Sequence, residues 1–164
     1  MHLHHVNVGH KALGDYATIA SRGLMDQIRA LAEPLRGKRV LHLSATAFGG
    51  GVAEILYTLV PLMRDAGLET EWQVIHGQEE FFDVTKTIHN TLQGARGELS
   101  AHQQEIYRRY NRENAEALDG AYDYVIVHDA QPAAMIEEAR GNGEHWIWRC
   151  HVDLSAPNDA VAPL

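Results

Sequence analysis

The stretch at residues 39–67 constrains this chain more than any other. It opens with Val40-Leu41-His42-Leu43-Ser44, an apolar run of strand length, and passes through Ala45-Thr46-Ala47-Phe48-Gly49-Gly50-Gly51. It closes on Val52-Ala53-Glu54-Ile55-Leu56-Tyr57-Thr58-Leu59-Val60, where apolar positions 52, 55, 56, 59, 60 and 63 recur with a helical period. Strand, glycine turn and helix make the first unit of a doubly wound α/β domain. The helix start aims free backbone N–H groups at whatever lies above the sheet, and adjacent glycines let a ligand approach the main chain. An anion, phosphate above all, is the usual guest. The pattern is neither the dinucleotide fingerprint G-x-G-x-x-G nor a P-loop, which ends in Lys-Ser/Thr. On its own it reads equally as a tight βα turn whose glycines serve geometry alone.

The rest of the chain repeats the alternation. Residues 1–14 are expected to form an extended arm with a strand at 4–8, and residues 15–164 one domain. Helix 15–33 places Ile19, Met25, Ile28, Leu31 and Ala32 on one side and stops at Pro34 and Gly37. The helix after the glycine turn runs to Ala66, with Pro61 predicting a kink and Gly67 a stop. Further strands are expected at 69–75, 123–127 and 145–150, and further helices at 81–93, 100–118 and 132–140. Helix 100–118 has few apolar positions and Ser100 as its N-cap, which places it at the rim rather than in the core. The order predicts a Rossmann-like parallel sheet with helices on both faces. Strand 39–44 is central, with 69–75 on one side and 123–127 on the other. Ligands of such sheets bind in the crevice at the carboxyl ends of the strands, where the chain reverses direction.

Composition narrows the function classes. A chain of 164 residues is one domain or most of one and hides roughly 70% of its unfolded surface. A net charge of −8 argues against nonspecific nucleic-acid or anionic-membrane binding. The single cysteine, Cys150, excludes an internal disulfide framework and fits a reducing compartment. No apolar run reaches the ~20 residues of a membrane span, and the start lacks the shape of a signal peptide. A cytoplasmic protein is expected.

Eleven histidines are many for this length, and those at strand ends stand apart. His128 and Asp129 close the strand at 123–127, where they can orient a sugar hydroxyl or hold a proton; the bland reading makes Asp129 an N-cap for the next helix. His151 and Asp153 follow the last strand as His-x-Asp, too sparse for a clear metal site, and no metal is expected. Structural satisfaction of loop backbone is the plainer reading of Asp153. Arg149 shares a strand face with His151 and, as a charge in a buried strand, needs a partner. Cys150 faces the other way with Trp146 and Trp148, as a packed thiol. Lys86, His89, Asn90 and Gln93 make one side of helix 81–93 rich in donors. That side is a solvated face by default, or a polyhydroxyl-binding face if it lies above the crevice.

Taken together, Phe48-Gly49-Gly50-Gly51-Val52-Ala53-Glu54-Ile55-Leu56, Phe81-Phe82-Asp83-Val84-Thr85-Lys86-Thr87-Ile88-His89-Asn90, Leu92-Gln93-Gly94, His128-Asp129-Ala130-Gln131-Pro132 and Trp146-Ile147-Trp148-Arg149-Cys150-His151-Val152-Asp153-Leu154-Ser155 resemble the trehalose synthases of the glycosyltransferring type. These are retaining glycosyltransferases with two Rossmann-like domains, the GT-B fold. The resemblance runs from about Asp15 to Asn158. It implies transfer of glucose from a nucleotide diphosphate glucose, a co-substrate rather than a cofactor, to free glucose, giving trehalose; some relatives are phosphorylases that use glucose 1-phosphate. It implies that Gly49, Gly50 and Gly51 approach the donor diphosphate and that His151 faces the donor sugar and the reacting centre. It assigns Lys86, His89, Asn90, Gln93, His128 and Asp129 to the acceptor pocket more weakly. No activated protein nucleophile is found, in keeping with an oxocarbenium-like transition state stabilised electrostatically. Members are considerably longer, so the chain reads as an N-terminal, acceptor-side domain lacking the donor-binding domain. It is expected to be catalytically silent alone and, through exposed sheet edge or interdomain surface, to form a homo-oligomer. A stand-alone nucleotide or sugar-phosphate binding module is the alternative. An NAD-dependent half ranks last, because strand 69–75 leads into His76-Gly77 rather than a ribose-binding acid.

Overall fold

The computed structural model describes residues 2–139 and 143–158. Over these the chain runs β1 (His4–His5), α1 (Arg22–Ala32), β2 (Arg39–Ser44), α2 (Gly51–Asp65), β3 (Glu69–Val74), α3 (Glu79–Leu92), α4 (Ala101–Glu116), β4 (Tyr122–His128), α5 (Met135–Glu138) and β5 (Gly143–Arg149). The strands form one sheet in the order β1-β3-β2-β4-β5. β3, β2, β4 and β5 run parallel, with β2 between β3 and β4 as the order of elements predicts. β1 adds an antiparallel pair to β3, His4 opposite Val74, which makes the sheet mixed.

Strand alternation divides the core into two faces. Leu41, Leu43, Val125 and Val127 point to one face, where Phe81, Val84 and Ile88 of α3 and Ile106, Tyr107 and Tyr110 of α4 cover them. Full burial of a side chain such as Leu41 or Leu43 contributes about 1.5–3 kcal/mol. Trp72 lies on the opposite face, where α2 lays Ala53, Leu56 and Val60 against it; Val40 meets Ala32 and Leu68 on that side. The helix α2 is continuous across the buried Pro61.

Three expectations need correction. The first helix starts at Arg22, not Asp15, because Ser21 caps it by accepting the Leu24 N–H at 3.2 Å. Residues 13–16 form a separate 3₁₀ turn, tied to α2 by the Leu13 N–H donating to Asp65 at 2.8 Å. Ile19, now ahead of the helix, is 81% exposed, and Leu31, within it, is 73% exposed, so neither joins Met25 and Ala32 on the buried side. The polar helix α4 is not a rim element. It buries Ile106, Tyr107, Tyr110 and Ala115, and its buried asparagines bond backbone across the fold. Asn114 accepts the His76 N–H at 2.7 Å and donates to the His76 carbonyl at 2.8 Å. Asn111 donates to the Gln131 carbonyl at 3.1 Å and accepts the Met135 N–H at 3.1 Å. The helix expected at 132–140 contracts to the four residues of α5, and its last expected residue, Arg140, lies outside the described residues.

The tail returns to the end of α3 and the loop that follows it. Asn158 donates through its backbone to the Thr91 carbonyl at 2.9 Å and through its side chain to Ala95 and Gly97, both at 3.0 Å. Gly94, at φ 89°, lets Ala156 pass so closely that an added Cβ would lie 2.7 Å from its carbonyl oxygen. Among the described residues no helix is long and apolar enough to cross a membrane.

Candidate functional site

At the carboxyl end of β2 the chain turns over the top of the sheet. Ser44 Oγ accepts the Trp72 indole N–H at 2.8 Å, and Thr46 Oγ1 accepts the Phe48 N–H at 3.0 Å. These bonds fix the approach to Gly49 and Gly50, whose φ values of 61° and 120° lie in the left-handed region that favours glycine. Gly50 is the N-cap of the 15-residue α2 and offers no side chain to satisfy its first N–H groups. A Cβ added at Gly49, Gly50 or Gly51 would meet nothing within 4 Å, so open space lies above the turn.

That space is a cleft of about 400 Å³, lined by Ser44, Thr46, the three glycines, His89, His128, Asp129, Gln131 and His151 among others. Its size falls in the ~300–1,000 Å³ range of small-molecule sites. The glycine turn, His128 and His151 therefore converge on one cleft, as the order of strands requires.

Beneath the cleft runs a chain of three histidines. His42 of β2 and His128 of β4 point to the same face of neighbouring strands, and His151 follows β5 on that face. The His42 Nδ1 and His128 Nε2 atoms are 2.9 Å apart, and His128 Nδ1 and His151 Nε2 are 2.8 Å apart. The rings stack at centroid distances of 5.2 and 5.1 Å. At the inner end, His42 Nε2 lies 3.4 Å from Met63 Sδ of α2. His42 and His128 are both 1% exposed. Burial, then the Arg149 charge, lowers the His42 pKa to about 4. Burial, then His42, His151 and Arg149, lowers that of His128 to about 3. Both rings are neutral at pH 7.

Asp129 has a different task from the helix cap expected of it. It stands at φ 61°, a conformation aspartate tolerates better than most residues, and accepts the His151 N–H at 2.6 Å. Its own N–H donates to the Arg149 carbonyl at 3.0 Å, and its carbonyl accepts the Trp148 indole N–H at 2.8 Å. Asp129 thus stitches the end of β4 to the end of β5 and holds His151 at the cleft.

The remaining sequence candidates lie elsewhere. Of the donor-rich side of α3, His89 alone lines the cleft, while Lys86, Asn90 and Gln93 are exposed. Gln93 reaches the His89 carbonyl at 3.4 Å. Arg149 is exposed, not buried, because among the described residues β5 pairs with β4 alone; it reaches the buried histidines through its field. Asp153 is exposed and turns its own loop, accepting the Ser155 N–H at 2.8 Å, and the two bonds from Ser155 hold its carboxyl below the usual range. Cys150 is half-buried, its thiol 3.8 Å from the Val152 carbonyl. Among the described residues no cluster of His, Cys, Asp or Glu could hold a metal ion; in the stacked histidines the facing nitrogens bond one another.

Sequence reasoning missed His42. Its signal was a polar ring inside the apolar run Val40-Leu41-His42-Leu43, which calls for a buried partner. The partner comes from a strand 86 residues later and was not visible locally.

Comparison with known proteins decides the family. The family described as "Trehalose synthase, N-terminal domain" matches residues 42–163, most of the chain and every element of the cleft. The chain belongs to this trehalose synthase family. A curated trehalose synthase of Rubrobacter xylanophilus is 57% identical over 164 residues, covering 97% of this chain and 39% of the relative. The trehalose synthase of Pyrococcus horikoshii is 49% identical over 152 residues, covering 92% and 36%. That of Thermococcus litoralis is 49% identical over 152 residues, covering 90% and 36%. The chain thus spans well under half the length of these trehalose synthases.

Proposed function

We propose that this chain is the acceptor-side, Rossmann-like domain of a retaining GT-B glycosyltransferase that moves glucose from a nucleotide diphosphate glucose to free glucose, forming trehalose. The observation that supports this best is the convergence, on one open cleft, of an uncapped helix start behind three glycines and a row of imidazoles. The two features serve two chemistries. Backbone N–H groups at a helix start favour the oxygens of a departing diphosphate. Histidine and Asp129 side chains at the same rim suit the hydroxyls of a sugar.

The reaction breaks the bond from the anomeric carbon to the diphosphate oxygen and forms one to a hydroxyl oxygen of the acceptor. The acceptor proton passes to the departing phosphate oxygen on the same face of the sugar. No nucleophile from this chain is required. Positive charge on the sugar ring is offset by the negative charge of the departing diphosphate, which the N–H groups at the α2 start hold beside it.

Calorimetric titration with glucose, UDP, ADP and NAD tests the reading. Glucose is expected to bind, and His151→Ala is expected to abolish its heat while the chain stays folded with a lowered melting temperature, because the substitution also removes the bond to buried His128. Tight NAD binding with none for glucose would overturn the assignment.

A further inference from the structure

The histidine chain contains a logic that fixes where its protons sit. Each ring-to-ring contact is a single hydrogen bond, in which one nitrogen donates and the other accepts. The inner end is anchored at Met63, whose thioether sulfur accepts and has no proton to give. The 3.4 Å contact from His42 Nε2 to Met63 Sδ is therefore an N–H···S bond, and the His42 proton resides on Nε2. A neutral ring has one proton, so His42 Nδ1 offers a lone pair. The 2.9 Å bond must then be donated by His128 Nε2. By the same count His128 Nδ1 accepts, and the 2.8 Å bond is donated by His151 Nε2. In neutral His151 this leaves Nδ1 as a bare acceptor.

We propose that Met63 and His42 are positioning residues: through one tautomer passed along His42, His128 and His151, they present His151 Nδ1 to the cleft as a hydrogen-bond acceptor for a ligand hydroxyl. This rests on the reading of the cleft as a sugar site and sharpens it. An ionised phosphate oxygen has no proton for Nδ1, whereas a hydroxyl has one. The cleft is thereby divided, with anionic oxygens directed to the glycine rim and a hydroxyl to His151. Met63 makes no contact with a ligand in this scheme; a half-buried sulfur sets the polarity of a ring two histidines away.

The test is ¹H–¹⁵N spectroscopy of the imidazole rings in the histidine-labelled chain at neutral pH, paired with glucose titration. His42, His128 and His151 are each expected to carry the proton on Nε2 and a bare Nδ1. Met63→Leu keeps the packing volume and removes the acceptor sulfur. It is expected to add a second ring population protonated on Nδ1 and to weaken glucose binding about tenfold, with the melting transition retained. An Nδ1-protonated ring at any of the three positions in the native chain overturns the proposal. Ring spectra unchanged in Met63→Leu overturn the role of Met63. The Nε2 pattern without glucose binding refutes the sugar reading of the cleft, and with it the ligand half of the proposal, while the relay of tautomers stands.

Discussion

Single residues set the chemistry of the cleft, and two of them give sharp predictions. Gly50 holds a φ of 120° that an L side chain rarely adopts, although nothing crowds the space around it. The cost of Gly50→Ala is thus one of backbone strain, about 1–3 kcal/mol, and should appear as a lower midpoint in urea unfolding with an unchanged slope. The buried histidines make the fold acid-sensitive. Their folded pKa values, about 4 for His42 and about 3 for His128, lie below the unfolded value near 6.5. Below that value the unfolded chain binds protons the native chain does not. Their contribution is therefore intact above about pH 6.5 and is lost progressively as pH falls toward the folded values. Between pH 6.5 and 5 each should cost about 1–2 kcal/mol, and melting curves over that range check it. His42→Phe, if folded, should flatten the dependence.

At the scale of elements, α4 shows how a polar helix can be essential to a core. Its asparagines hold the segment that leads into α3 and the one that leads into α5, two stretches outside the strands of the sheet. Removing Asn114 leaves the His76 N–H and carbonyl without their partner. Asn114→Ala should cost about 1–3 kcal/mol and lower the melting temperature by roughly 3–10 °C in calorimetry. A sequence reading that weighs apolar positions sees such a helix as a rim element. The bonds that bury it run to backbone 20 to 38 residues away, and backbone partners leave no mark in composition. The first helix shows the opposite case: Ser21 was a local signal, and its cap sets the start at Arg22.

On the scale of the whole molecule, the parallel strands deliver every feature of the site to one edge of the sheet. The residues lining the cleft include three histidines and Asp129, and among the described residues neither lysine nor arginine. A doubly charged diphosphate finds backbone dipoles there and no compensating cation, on a chain of net charge −8. Glucose is accordingly expected to bind this chain more tightly than a nucleotide diphosphate glucose does. Incubation of this chain with both should yield no trehalose by a coupled or chromatographic assay. Robust turnover would show that this single wall suffices.

The strand–glycine–helix unit, the order of the parallel strands and the arrival of His128 and His151 at a common edge were all written in the sequence, because hydrophobic period and turn chemistry are local and the handedness of βαβ crossovers leaves few arrangements. Only the tertiary structure decided that His42 belongs with them, that Asp129 clasps β5 rather than capping a helix, and that Lys86, Asn90 and Gln93 face solvent while His89 faces the cleft. Each of these depends on which side chains stand within about 3 Å across strands or helices far apart in the chain, and hydrogen bonds of that reach are fixed by packing, not by neighbours in sequence.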